Sequence, residues 1–532
     1  MKRFLSAAGL ALAACLGWPG AAPADVKPHV LFTDGAVLQR GMPVPVWGTA
    51  DDGEKVTVKF QGQEVSTTAK DGKWSVKLAE LKAAGEPSTL TIEGKNKVEV
   101  VDVLVGEVWV CSGQSNMEWT LGRAAEAEAA TAKATDPLLR LYTVPKAVSD
   151  EPLETIKRNE SPGQRAWLAS DPESAAKFSA VGYFFGRDLR KALGVPVGLI
   201  HSSWGGTTAE SWTSKPTLEA DPALKGLLEE YRMALERYPQ AIEKFRVDQA
   251  AHAKRAAKAK AEGKPAPTPP RAPVGRNSPH ATGLYNAMIA PLQPYAIRGA
   301  IWYQGEGNAS RAFQYRTLFP AMIKDWRAAW GQGDFPFLLV QLAPFQKIVD
   351  QPGESAWAEL RDAQWLATKI LPKVGMAVIT DVGDENDVHP RRKEPVGERL
   401  ALAARSIAYG EPIVGSGPEY SGMEVQGDRV VLQFKNVGGG LEAKDGPLKG
   451  FAVAGEDRKF AKAEAEVVGE TVVVHAEQIP QPVAVRYGWA SYPVVNLWNK
   501  DGLPATPFRT DDFPAITEPK PKAPRPEPAS AK

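Results

Sequence analysis

Cysteine is nearly absent: 532 residues contain only Cys15 and Cys111. A disulfide framework cannot be the basis of stability, and a zinc site built on paired cysteines is excluded. Histidine is scarce as well, with six in the chain and no ligand spacing among them, so no metal is expected. An excess of one charge is missing: 64 Lys and Arg against 63 Asp and Glu leave a net +1. That removes the electrostatic case for a nucleic-acid partner or an anionic membrane surface. After the N-terminus, no run approaches the roughly 20 apolar residues of a spanning helix. A phosphate loop is lacking too, since GQGD at 331–334 has no P-loop lysine.

What is present is an ordinary globular composition, 43% apolar and 24% charged, in a chain too long for one core. Two to four domains are expected. The first 24 residues read as a signal peptide: MKR, a short apolar run, and an Ala22-Pro23-Ala24 cleavage pattern before Asp25. Leu12-Ala13-Ala14-Cys15 also resembles a lipoprotein box. Export is therefore expected, to the periplasm or the medium, with lipid anchoring through Cys15 left open.

Residues 25–103 read as an N-terminal β domain. KVTVKF at 55–60 alternates, and Asp71-Gly72 between two alternating runs is a hairpin signal. From 104 to 410 the pattern becomes short apolar runs separated by amphipathic helical stretches. The runs are VWVC at 108–111, VGLI at 197–200, AIWY at 300–303, FLLV at 337–340 and AVIT at 377–380. Buried strands alternating with helices predict an α/β fold, a parallel sheet with helices on both faces. Within it, residues 215–270 read as a charged helical insertion that ends in GKPAPTPPRAPVG. It is expected to be a solvated lid or spacer, with a partner-binding arm as the alternative. Residues 411–513 return to β character, and 514–532 form a Pro/Lys-rich tail expected to be disordered.

In an open parallel sheet, ligands gather beyond the carboxyl ends of the strands. Polar loops follow four of the five runs: SGQSNM from 112, SSWGGTT from 202, QGEGN from 304 and DVGDENDVHP from 381. Their convergence would bring a hydroxyl, an imidazole, carboxylates and backbone donors to one edge. Ser115 is the candidate nucleophile, although Ser115 or Ser112 could equally cap a helix. His29 and His475 belong to the flanking β regions and His252 to the insertion, which leaves His201, His280 and His389. His201 at a strand end suits packing, and His280 could contact substrate. His389, in an acidic loop before a helix faced by Val396, Leu400, Ala403 and Ile407, is the candidate base. Asp387 stands close enough to orient it, or to cap that helix. Gly205, Gly206 and Asn308 are candidate oxyanion donors. Glu306 either holds its loop or touches substrate. Trp119, Trp204, Trp212, Trp302 and Tyr303 cluster around these motifs, with core packing expected for each.

The segments LFTDGAVLQRGMPVPVWG, VGEVWVCSGQSNMEW, SSWGGTTAESW, LYNAMIAPLQPYAIRGAIWYQGEGNA and NDVHPRRKEPVGERLA resemble sialate O-acetylesterases, members of the SGNH (GDSL-like) hydrolases. The resemblance implies an SGNH-type sheet flanked by N-terminal and C-terminal β-sandwich-like domains. It implies Ser115 as nucleophile, His389 as base, and an oxyanion hole from the Ser115 amide, Gly205 or Gly206, and Asn308. Gln114, Asn116, Gln304, Gly305 and Glu306 would support substrate or loops. In the superfamily the orienting Asp lies three residues before the His, where this chain has Asn386; Asp387, Asp384 or a backbone carbonyl could serve instead. Gly307 stands where related chains usually carry Ser. The implied function is cofactor-free hydrolysis of acetyl esters on carbohydrate, with sialic acid the leading substrate. Another acetylated glycan, such as xylan or pectin, is the alternative. A non-catalytic carbohydrate-binding protein and a structural envelope protein are the readings from other classes.

Overall fold

The computed structural model describes residues 25–157 and 166–520. The expected signal peptide with Cys15, and tail residues 521–532, lie outside the described residues.

One strand joins the N-terminal β region to the central sheet. β1 (Lys97–Gly113) pairs antiparallel with Ala84–Glu93 along its first half and parallel with central strands along its second. The boundary expected at 103/104 therefore falls inside a continuous strand. The Asp71-Gly72 turn forms, with both residues at positive φ, but it is not a hairpin within one sheet. Gln63–Thr68 before it pairs with Lys55–Phe60, whereas Lys73–Leu78 after it pairs with Val44–Thr49. The turn carries the chain from one sheet to another.

Six further strands complete the central sheet: β2 (Asp136–Thr143), β3 (Trp167–Ser170), β4 (Val197–Ser203), β5 (Gly299–Tyr303), β6 (Phe337–Val340) and β7 (Val374–Ala377). Their order is β3-β2-β4-β1-β5-β6-β7, parallel except for the edge strand β3. The five apolar runs thus take the places expected of them, with one shift: the last strand is Val374–Ala377, and residues 378–380 lead out of it. The run from 374 to 379 is continuously buried, so hydrophobicity could not mark its end. β2 was not anticipated. Arg140 interrupts its apolar pattern, and is accommodated because its guanidinium forms two hydrogen bonds to Asp102 at 2.7 and 2.9 Å.

Both faces of the sheet are covered, which is why its strands read as unbroken apolar runs. Trp109, Cys111, Ile301 and Leu338 point into one core with α1 (Ala180–Leu193) and α5 (Glu394–Tyr409). Val110, Trp302 and Leu339 point into the other with α3 (Ala312–Trp330) and α4 (Ala356–Ile370). Cys111 is fully buried, and burial pushes its thiol up, so it stays protonated and inert. Val396, Leu400 and Ala403 of α5 are buried as their spacing predicts. Gly397 allows close contact there, since a Cβ would lie 2.5 Å from that of Phe184.

Glu107 of β1 has no exposed side-chain surface and receives Gln39 Nε2, Arg40 Nε and Arg298 Nε. This knot ties the N-terminal region to the sheet. Glu107→Leu should lower unfolding stability by about 3 kcal/mol, because two partly buried guanidinium groups lose their counter-charge. A chemical denaturation curve would show it as a fall in midpoint.

The insertion folds mainly as α2 (Pro222–Ala261), capped by the Asp221 side chain. Only Leu224 and Leu227 along it are buried. It is long, but no described helix is long and apolar enough to cross a membrane. The C-terminal region has two antiparallel four-stranded sheets, one through Glu419–Gln426 and Arg429–Lys435, the other through Phe451–Ala454 and Ala484–Tyr487. The tail does not leave the body at 514. Ile516 and Thr517 donate their amides to Glu359 of α4 at 2.6 and 3.1 Å. A buried carboxylate with two backbone donors holds a segment that composition alone reads as free.

Candidate active site

β1 ends in a backbone geometry that glycine permits. Gly113 has φ 139°, and a Cβ there would lie 2.1 Å from the Tyr303 carbonyl oxygen of β5. The chain then turns into a short helix, Ser115–Glu118, with Gln114 as its cap residue. The cap uses no side-chain hydrogen bond. The Ser115 hydroxyl is thus free of the capping role that its position offered.

It points instead at His389. Ser115 Oγ and His389 Nε2 are 2.8 Å apart, although 274 positions separate the residues. On the other side of the ring, His389 Nδ1 lies 3.2 Å from Asp387 Oδ1, which also accepts the His389 amide at 2.9 Å. Asp384 does different work: its Oδ1 accepts the amides of Asn386 and Asp387 and so shapes the loop. With a proton on Nδ1 facing Asp387, the ring presents a lone pair at Nε2 to the serine hydroxyl. Trp119 stacks on the imidazole at 5.5 Å and 20°, with the Arg123 guanidinium 3.7 Å from the same indole.

Three loops brace this pair. Gln114 Oε1 faces the amides of Gly305 and Gly307 at 3.4 and 3.3 Å. Gln304 is buried and donates to Asn308 Oδ1 and to the Thr207 carbonyl. Gly305 leaves room for Leu360, whose Cδ2 would lie 2.5 Å from a Cβ. Gly307 packs its backbone against the Thr207 carbonyl oxygen, 2.8 Å from where a Cβ would stand. A serine there would press on that oxygen.

The donors for a developing oxyanion differ in availability. The Ser115 amide opens a helix, where first-turn N–H groups have no intrahelical partner. The Gly205 amide is not open: it donates to Glu118 Oε2 at 2.6 Å, while Glu118 Oε1 accepts Lys146 Nζ. The Gly205 backbone abuts the serine, a Cβ there falling 3.1 Å from that of Ser115. Gly206, at φ 75°, borders open space. Asn308 is buried and its orientation is fixed. Its Oδ1 accepts from Ala209 N, and its Nδ2 gives one proton to Glu210 Oε2 at 2.9 Å, leaving the second proton for another acceptor.

A further group was missed in the sequence. Lys393 is completely buried. Its Nζ donates to Asn116 Oδ1 at 2.5 Å, and Asn116 Nδ2 donates to Glu306 Oε1 at 2.6 Å and to the Val388 carbonyl at 3.0 Å. This chain, Lys393 to Asn116 to Glu306, anchors the residue after the serine to the residue before the histidine. Burial lowers the Lys393 ammonium to about 7, opposed by the nearby Glu306, Asp387 and Glu126 carboxylates. Glu306 as a whole is only partly buried, but its carboxylate is enclosed, and that desolvation raises it. Glu306 thus holds Asn116, the loop role considered for it. The only signal for Lys393 was a lysine one position before an apolar-faced helix, which ordinarily marks a solvated turn.

Of the other candidates, His201 is buried, bonded to Ser203 Oγ at 2.6 Å, and lowered to about 4 by desolvation, which suits packing. His280 is stacked on Tyr231 of α2. Trp212, Trp302 and Tyr303 are core residues, whereas Trp119 and Trp204 keep partly exposed faces.

Residues 275–405 match the family described as carbohydrate esterase, sialic acid-specific acetylesterase. The sialate O-acetylesterase of Mus musculus is 30% identical over 514 residues, spanning 87% of this chain and 90% of its own. That of Homo sapiens is 29% identical over 503 residues, spanning 87% and 88%. Among solved structures, a carbohydrate acetylesterase from Xanthomonas citri superposes with a TM-score of 0.77 at 38% identity, covering 92% of this chain and all of that one.

Proposed function

This chain belongs to the sialate O-acetylesterase family, and we propose that it removes O-acetyl groups from sugar hydroxyls through an acetyl-enzyme on Ser115. It is a carboxylic-ester hydrolase. The observation that carries the mechanism is the 2.8 Å approach of Ser115 Oγ to His389 Nε2.

Attack of Oγ on the acetyl carbonyl carbon transfers the hydroxyl proton to His389 Nε2. The tetrahedral oxyanion is held by the Ser115 amide, the second Nδ2 proton of Asn308 and the Gly206 amide. Asp387 keeps the ring oriented and stabilises the imidazolium. Collapse breaks the bond to the sugar oxygen, which takes its proton from His389. Water then adds to the acetyl-enzyme with His389 as base, and acetate leaves with Ser115 restored. Asp387→Asn should lower kcat on a chromogenic acetyl ester by about 10²- to 10⁴-fold, because an amide can force the wrong tautomer. An unchanged rate would assign the orienting role elsewhere.

Acetylated sialic acid is the substrate we favour, on the mammalian relatives. A neutral or plant-type acetylated glycan is the second reading, favoured by the Xanthomonas enzyme, which is described only as a carbohydrate acetylesterase. Acetate release from matched O-acetyl sialosides and acetylated xylo-oligosaccharides separates the two: a preference for xylo-oligosaccharides would overturn the sialate reading. Export to the periplasm or medium, with or without a lipid on Cys15, is part of the same proposal and rests on residues 1–24. An N-terminus of the mature protein at Met1 would refute it.

A further inference from the structure

The acetyl group is small, so most of the substrate is the leaving alcohol, and it needs a surface continuous with the oxyanion loop. A cleft of about 240 Å³ lies there. One wall is the loop after β4. It includes Gly206, next to the glycine that abuts Ser115, and Glu210, whose Oε2 holds Asn308. The opposite wall belongs to the insertion. Tyr231 of α2 lines it, as do Arg271 and His280 from the segment that follows.

These pieces are held together. The Tyr231 ring lies flat on His280 at 4.0 Å and 2°, and its hydroxyl reaches Asp150 at 3.3 Å. His280 Nδ1 bonds the Ser278 carbonyl, and its Nε2 lies 3.5 Å from Asp150 Oδ1. Arg276 pairs with Asp150 at 2.9 Å. Further along, Tyr238 packs against Gly275 so closely that a Cβ would lie 2.5 Å from its ring. Helix and linker therefore form one braced wall and not a loose spacer. Glu210 is already ion-paired with Arg311 and accepts a hydrogen bond from the Asn308 amide. Arg271 is exposed and makes no ion pair or hydrogen bond among the described residues. An exposed Glu230 sits on the same rim.

We propose that this cleft is the leaving-group subsite, with the sugar body against Tyr231 and the carboxylate of an acidic sugar on Arg271. The proposal rests on the esterase reading and goes further, assigning the helical insertion to substrate selection. An aromatic face offers apolar area at little entropic cost, and a guanidinium matches a carboxylate through paired hydrogen bonds.

The test compares kcat/KM on three acetyl esters: an O-acetyl sialoside, a neutral O-acetyl sugar and a chromogenic acetyl ester without a sugar. Arg271→Ala should lower the ratio of sialoside to neutral-sugar turnover by about tenfold, mainly through KM, as loss of one charge-assisted pair would. Tyr231→Ala should lower the ratio of either sugar to the chromogenic ester, and Tyr231→Phe should restore it. Equal losses on all three esters, or ratios that do not move, would overturn the subsite. A wild type that does not prefer the sialoside to the neutral sugar would overturn the carboxylate assignment. Failure of the esterase reading looks different: the wild type would release no acetate from any ester, or Ser115→Ala would keep releasing it.

Discussion

Ser115→Ala loses acetate release by about 10⁴- to 10⁶-fold and keeps its fold. The magnitude follows from chemistry: without Oγ there is no acetyl-enzyme, and what remains is water attack aided by the oxyanion donors. The fold should survive because the hydroxyl caps no helix and, among the described residues, bonds only the His389 side chain. Removing it orphans no fully buried group, so the melting temperature should move by no more than about 2 °C. Acetate release followed by a coupled assay, alongside thermal unfolding, reads both quantities. Residual turnover above about one per cent would mean that serine attack is not the route.

The second large effect is expected at Lys393. Lys393→Met replaces a buried lysine with a side chain of similar length, but Asn116 Oδ1 loses its donor. An unpaired buried acceptor costs about 1–3 kcal/mol. Asn116 also holds Glu306 and the Val388 carbonyl beside His389, so rotation of its amide would misplace the base. A fall in kcat of about 10- to 100-fold is expected, with KM for the chromogenic ester little altered. A pH signature distinguishes the charged group from mere packing. Burial holds Lys393 near 7 in the folded protein, against about 10.4 in an unfolded chain. Between those values the unfolded state binds more protons, so folded stability attributable to this group rises with pH across that window and is flat, at its lowest, below about 7. The denaturation midpoint of wild type relative to Lys393→Met should therefore increase from pH 7 to pH 9. A flat difference would show that Lys393 carries no such linkage.

The legibility of this molecule in its sequence was uneven for physical reasons. Strands buried on both faces are continuous apolar runs, so β1, β4, β5 and β6 could be read directly. β2 could not, because Arg140 breaks its pattern, and the Asp102 carboxylate that pairs with its guanidinium lies on another strand. The loops after the strands were legible because small and polar residues cannot continue a buried strand. Gly205 and Gly206 read alike as donors, because nothing local shows that Glu118, bonded to Lys146, takes the Gly205 amide. The tail beyond 514 reads as free by composition, and Glu359 claims its first residues.

By itself, the sequence determined the inventory. It placed a hydroxyl, an imidazole, carboxylates and glycines immediately after apolar strands, because strand termination and turn chemistry are local. Tertiary structure alone decided the assembly. The approach of Ser115 to His389, the burial of Lys393, and the conversion of a charged insertion into a cleft wall all depend on segments distant in the chain. Packing sets those contacts, and no local pattern encodes the distance across which they form.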